Sequence, residues 1–259
     1  MRPIILIISL LIPLVGTTLG SAMVFFLKKE INQKVQKILL GFASGVMIAA
    51  SIWSLMQPAI NSYDKGDWKA YVFPGVGFLL GVGFMLLLDY LVPHMHINKE
   101  EEGLKKDKYS KTFKMLLAVT LHNVPEGLAV GVVIASALAG QVSEQAVLAL
   151  AIGMAIQNFP EGAIVSMPLK EEGHSKWKAF LLGFLSGVVE PIAGLIALLL
   201  TTVVSVILPY TLAFAAGVMI YVVVEELIPE ANQGEHSNLA TIGLAVGFVI
   251  MMILDITLG

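Results

Sequence analysis

Eight apolar runs, each long enough to cross a bilayer, constrain this chain more than any other feature. A hydrocarbon core about 30 Å thick takes roughly 20 apolar residues per helix. Residues 4–27, 38–60, 72–93, 113–138, 144–168, 179–208, 211–230 and 239–258 meet that requirement. They predict an all-α integral membrane protein of eight transmembrane helices in one domain over residues 1–259, with a loop over 94–112 between helices 3 and 4. The first run is longer than the apolar core of a signal peptide and leads directly into more membrane, so it counts as helix 1.

Composition agrees and narrows the chemistry. The chain is 57% hydrophobic and only 14% charged, where a soluble domain is nearer a quarter charged. A net charge of −3 offers nothing to nucleic acid. There is no cysteine, so any metal held here sits on nitrogen and oxygen.

The basic residues set an orientation. The loops after helices 1, 3 and 5 carry Lys28, Lys29, Lys34 and Lys37, then Lys99, Lys105, Lys106, Lys108, Lys111 and Lys114, then Lys170, Lys176 and Lys178. The other side has Arg2, Lys65 and Lys69. This asymmetry predicts both termini on the extracytoplasmic side; the expected location of this multi-pass protein is the plasma (inner) membrane.

The chain also repeats itself. Phe42-Ala43-Ser44-Gly45-Val46-Met47-Ile48 returns as Phe214-Ala215-Ala216-Gly217-Val218-Met219-Ile220. Gly77, Gly81, Leu88 and Asp89 of helix 3 are answered by Gly243, Gly247, Leu254 and Asp255 of helix 8. Pro13-Leu14-Val15-Gly16 of helix 1 is answered by Pro191-Ile192-Ala193-Gly194 of helix 6. Helices 1–3 and 6–8 therefore form a repeat around helices 4 and 5. With the orientation above helix 2 runs outward and helix 7 inward, so the repeat is inverted, an arrangement found in secondary transporters.

Helices 4 and 5 match each other through Leu121-His122-Asn123-Val124-Pro125-Glu126-Gly127 and Ile156-Gln157-Asn158-Phe159-Pro160-Glu161-Gly162. His122 and Glu126, like Gln157 and Glu161, stand one turn apart on one helix face. Pro125 and Pro160 lack an N–H and loosen the carbonyls of the preceding turn, which suits a helix facing a hydrated or metal-filled cavity. Gly127 and Gly162 permit close helix approach. Glu190 of helix 6 falls at a similar depth.

Seven carboxylates lie well inside the spans: Asp89, Glu126, Glu161, Glu190, Glu225, Glu226 and Asp255. Each ionised carboxylate near the bilayer centre costs on the order of 2.5–3.5 kcal/mol, which protonation, water or an imported cation must offset. Imidazole with carboxylates and no thiolate suits zinc, manganese, iron(II), cobalt or cadmium. Asp89, Glu225, Glu226 and Asp255, nearer the span ends, read as structural or exit-route residues. His94 and His96 open the long loop, where collecting released metal is the weaker reading beside that of ordinary loop residues. His174 and His236 read as loop residues, and the methionines as packing or lipid-facing residues.

The paired motifs and the eight spans resemble the ZIP (Zrt/Irt-like protein) family of metal transporters, prokaryotic branch, along the whole chain. The resemblance implies transport of zinc, with cadmium, iron, manganese or cobalt as further substrates, into the cytoplasm. It implies a site for up to two ions: His122, Glu126 and Glu161 for the transported one, and Asn123, Gln157, Asn158 and Glu190 for a neighbour, with Glu126 and Glu161 bridging. It further implies an elevator in which helices 1, 4, 5 and 6 move against helices 2, 3, 7 and 8, often within a homodimer in the lipid bilayer. Some relatives carry histidine at Gln157 or a carboxylate at Asn158, so this version implies a broader metal range.

Two other functions compete. A membrane metalloenzyme needs an open metal position and a general base, and no His-Glu-x-x-His or nucleophilic serine constellation accompanies Glu126. A proton- or sodium-coupled carrier of another solute would use the carboxylates but leave His122 beside Glu126 unexplained. The expectation is a transporter with no catalytic residues and no catalytic cofactor.

Overall fold

A computed structural model describes residues 2–27, 31–91, 94–95, 101–102, 111–203 and 207–258. Eight helices within them are long and apolar enough to cross a membrane. They are helix 1 (Pro3–Phe26), helix 2 (Gln33–Asn61), helix 3 (Lys69–Leu91), helix 4 (Leu116–Leu138), helix 5 (Glu144–Glu171), helix 6 (Lys176–Leu200), helix 7 (Leu208–Ala231) and helix 8 (Leu239–Leu258).

Polar caps explain why several helices begin ahead of, or exactly with, their apolar runs. The Asn32 side chain accepts from Lys34 N–H and starts helix 2, five residues before its apolar run. Ser143 and Ser175 do the same for helices 5 and 6. In the 94–112 loop His94–Met95 pairs antiparallel with Glu101–Glu102. His96, Glu100, Lys28, Lys29, Lys99, Lys105, Lys106 and Lys108 lie outside the described residues, so the metal-collecting reading of His94 and His96 gains no structural detail.

The helices associate in four tight pairs: 1 with 5, 4 with 6, 2 with 8, and 3 with 7. Glycine makes each pair possible. A Cβ on Gly16 or Gly20 would run into the backbone of Ala155 or Phe159, and one on Gly127 or Gly131 into that of Glu190 or Gly194. Gly41 and Gly45 meet helix 8 in the same way, and Gly81 and Gly217 join helices 3 and 7. Such backbone approach drives association in lipid, where apolar burial alone does not. The pairing follows the sequence repeat: exchanging helices 1–3 with 6–8 and 4 with 5 turns pair 1/5 into 6/4 and pair 2/8 into 7/3.

Three spans depart from a regular α-helix, each next to a proline. Helix 2 widens to a π turn at Ser51–Met56, closed by Gln57 N–H bonding to the Ile52 carbonyl just before Pro58. Helix 7 does so at Val223–Leu227, closed by Ile228 N–H on the Val223 carbonyl just before Pro229. The two π turns begin at repeat-equivalent residues, Ser51 and Val223. Helix 6 breaks at Val188 into Lys176–Gly187 and Val189–Val203. Pro191 cannot donate to the Gly187 carbonyl four residues back, and its ring crowds that turn.

Candidate metal centre

The middle of the bundle collects the polar residues that the sequence singled out. Asn123, Glu126, Gln157, Asn158 and Glu190 are all buried, each exposed by no more than 1%. Close helix pairing puts them there: Gly127 holds helix 4 against the backbone of Glu190, and Gly162 holds helix 5 against the backbone of Thr17.

Their hydrogen bonds leave a particular set of oxygens bare. Asn123 Nδ2 donates to the Ser186 carbonyl at 2.8 Å, beside the break in helix 6. Gln157 Nε2 donates to Asn158 Oδ1, and Asn158 Nδ2 reaches the Pro13 carbonyl of helix 1 at 3.5 Å. Thr17 Oγ1 donates to Glu190 Oε1 at 2.8 Å. Four buried oxygens then remain without a hydrogen-bond partner: both of Glu126, Oε2 of Glu190 and Oε1 of Gln157. The amides of Gln157 and Asn158 lie beside the Glu126 carboxylate, and that of Asn158 also lies beside Glu190. Glu161 lies within electrostatic reach of Glu126 and Glu190. Carboxylate oxygens buried this deeply are costly unless a cation or a hydrogen-bond donor meets them.

His122 stands differently from its neighbours. Its Nε2 contacts Glu226 of the helix 7 π turn. Among the described residues no group of three His, Asp or Glu side chains is assembled to hold a metal ion. The structure thus brings Glu126, Gln157, Asn158, Glu161 and Glu190 together and turns His122 toward helix 7.

The outlying carboxylates have their own partners. Asp89 accepts from the Tyr221 hydroxyl. Asp255 accepts from Ser54 Oγ at 2.6 Å, while its second oxygen is buried and bare. Ser54 and Asp255 line a cavity of ≈ 810 Å³ with Trp53, Gln57, Asn61 and Gln141, at the end of the bundle that carries both termini. Glu225 is exposed. Sequence reasoning missed Thr17, Tyr221 and the carbonyls of Pro13 and Ser186. Backbone carbonyls carry no residue signal, and a hydroxyl in an apolar helix is common enough to pass unnoticed.

Eight spanning helices in inverted, glycine-welded pairs define a polytopic membrane protein with a polar centre. The model of the ZIP zinc transporter family matches residues 3–113 and 98–255. The chain is 38% identical to zinc transporter ZIP11 of Xenopus tropicalis, over 94% of each protein. It is 36% identical to zinc transporter GufA of Myxococcus xanthus, over 95% of this chain and 96% of the relative. It is also 36% identical to zinc transporter ZIPB of Bordetella bronchiseptica, over 94% of this chain and 78% of the relative. The chain belongs to the ZIP zinc transporter family.

Proposed function

We propose that this protein carries zinc, and with it cadmium, iron(II), manganese or cobalt, into the cytoplasm across the plasma membrane. The observation that carries the proposal is the set of bare, buried oxygens on Glu126, Glu190 and Gln157. Ordinary packing would leave few such groups, whereas a divalent ion satisfies several at once. His122, Glu126 and Glu161 hold the transported ion, and Asn123, Gln157, Asn158 and Glu190 complete a neighbouring site, with Glu126 and Glu161 shared. His122 joins the ion by leaving Glu226, so the ion and Glu226 compete for one imidazole.

With both termini outside, the cavity at Ser54 and Asp255 is an outer vestibule, and Glu226, Tyr221 and Asp89 lie on the inner side of the centre. The helix pairing supports an elevator. Backbone-to-backbone glycine contacts stay inside the sets 1, 4, 5, 6 and 2, 3, 7, 8, whereas between the sets Gly153 meets the flexible Met251 thioether. A side chain that can re-pack tolerates sliding better than interlocked backbones. The protein works in the lipid bilayer, as a homodimer by our reading, and carries out no covalent chemistry.

The test is zinc entry into proteoliposomes loaded with a zinc-sensitive dye. Wild type is expected to respond, and His122→Ala and Glu126→Ala to fall at least about ten-fold, since even losing a partner that only supports a ligand costs that much. Equal silence in all three, with verified incorporation, contradicts transport; equal flux in all three contradicts the site.

A further inference from the structure

Helix 1 supplies none of the proposed ligands, yet it touches two of them. Thr17 donates to Glu190 Oε1 at 2.8 Å, and Asn158 reaches the Pro13 carbonyl one turn earlier at 3.5 Å. Thr17 is itself buried, and its Cβ and Cγ2 fill the space that a side chain on Gly187 would need. Gly187 thus makes room for Thr17 directly beside the break that presents Glu190.

The internal repeat separates this contact from general packing. Aligning Pro13 with Pro191 matches Glu190 to Ile12 and Thr17 to Leu195. Leu195 is 47% exposed and has no donor. Both members of the Thr17–Glu190 pair therefore depart from the repeat, each in a polar direction and each toward the other. Packing two similar helices requires neither departure.

We propose that Thr17 is a positioning residue for the second metal ion. By occupying Oε1 it orients the Glu190 carboxylate, beside the Asn158 amide, and leaves the buried Oε2 as the oxygen open to the ion. Thr17 thereby makes Glu190 a ligand through a single oxygen, and ties the second site to helix 1. The inference rests on the two-ion reading of the centre.

The experiment is equilibrium dialysis of the purified full-length protein against zinc, with bound metal counted by mass spectrometry, for wild type, Thr17→Val, Thr17→Ser and Glu190→Gln. Valine keeps the shape of threonine and removes the donor; serine keeps the donor and removes the methyl. Wild type is expected to bind two ions. Thr17→Val should weaken the second ion about ten-fold, the size of one hydrogen bond to a charged group, and leave the first unchanged. Thr17→Ser should remain within about two-fold of wild type, since its donor is intact. Glu190→Gln should lose the second ion. Two ions bound by Thr17→Val with unchanged affinities overturns the role of Thr17 alone. Equal weakening in Thr17→Val and Thr17→Ser does the same, because shape and not the donor would then matter. A single ion on wild type overturns the two-ion reading and this inference with it.

Discussion

Helices 2 and 7 share six of seven residues in one run and widen to π turns at equivalent residues, yet the two turns carry opposite chemistry. On helix 2 the turn presents Ser54, a neutral donor, to Asp255 of helix 8. On helix 7 it presents Glu226, an acceptor, to His122 of helix 4. The repeat preserved the backbone irregularity, with a proline just past each turn but one position out of register (Pro58 and Pro229), while the polar groups differ on each side. π turns often mark functional positions because they break the regular helical spacing and re-aim side chains. Here one turn faces a cavity between helices, and the other reaches the histidine of the proposed site. Likeness between the halves reports how the bundle is held; unlikeness reports where it does chemistry.

The comparison breaks first if the shared part is not what holds the bundle. Gly45→Val and Gly217→Val place a branched side chain against the backbones of Leu244 and Phe78. Each should cost about 3 kcal/mol or more, and the two should match, as overpacking of equivalent contacts requires. Size-exclusion profiles and thermal melts in detergent would reveal a mismatch. Glu226→Ala comes next. It removes the partner of a partly buried imidazole and should lower stability by about 2 kcal/mol. Tyr221→Phe deletes the hydroxyl that Asp89 accepts, for about 1.5 kcal/mol. Ser54→Ala should be smallest, about 1 kcal/mol, because Asp255 keeps access to the adjoining cavity. Thermal shifts as large for Ser54→Ala as for Glu226→Ala would mean that the two turns do not differ as described.

Much of this was legible in the sequence because lipid allows so few solutions. Eight apolar runs leave little choice but eight helices, and six polar residues within them, His122, Glu126, Gln157, Asn158, Glu161 and Glu190, stand out against their surroundings. The repeat was visible in Phe42–Ile48 and Phe214–Ile220 and corresponds to the observed pairing of helices. What stayed hidden were contacts between distant residues. Nothing local to His122 indicates that it meets Glu226, and nothing local to Thr17 indicates Glu190. The break in helix 6 had a signal, Gly187 four residues before Pro191, but apolar length alone reads through it. For Thr17 the usable signal was its mismatch with Leu195 under the repeat, the same comparison that separates the two π turns.

X-ray absorption at the zinc edge of the loaded protein, wild type beside His122→Ala, tests the central claim most directly. The account predicts a shell of only nitrogen and oxygen at about 2.0–2.1 Å, with the multiple scattering of an imidazole that disappears in His122→Ala. A sulfur shell, or an imidazole signal that survives the substitution, would contradict it.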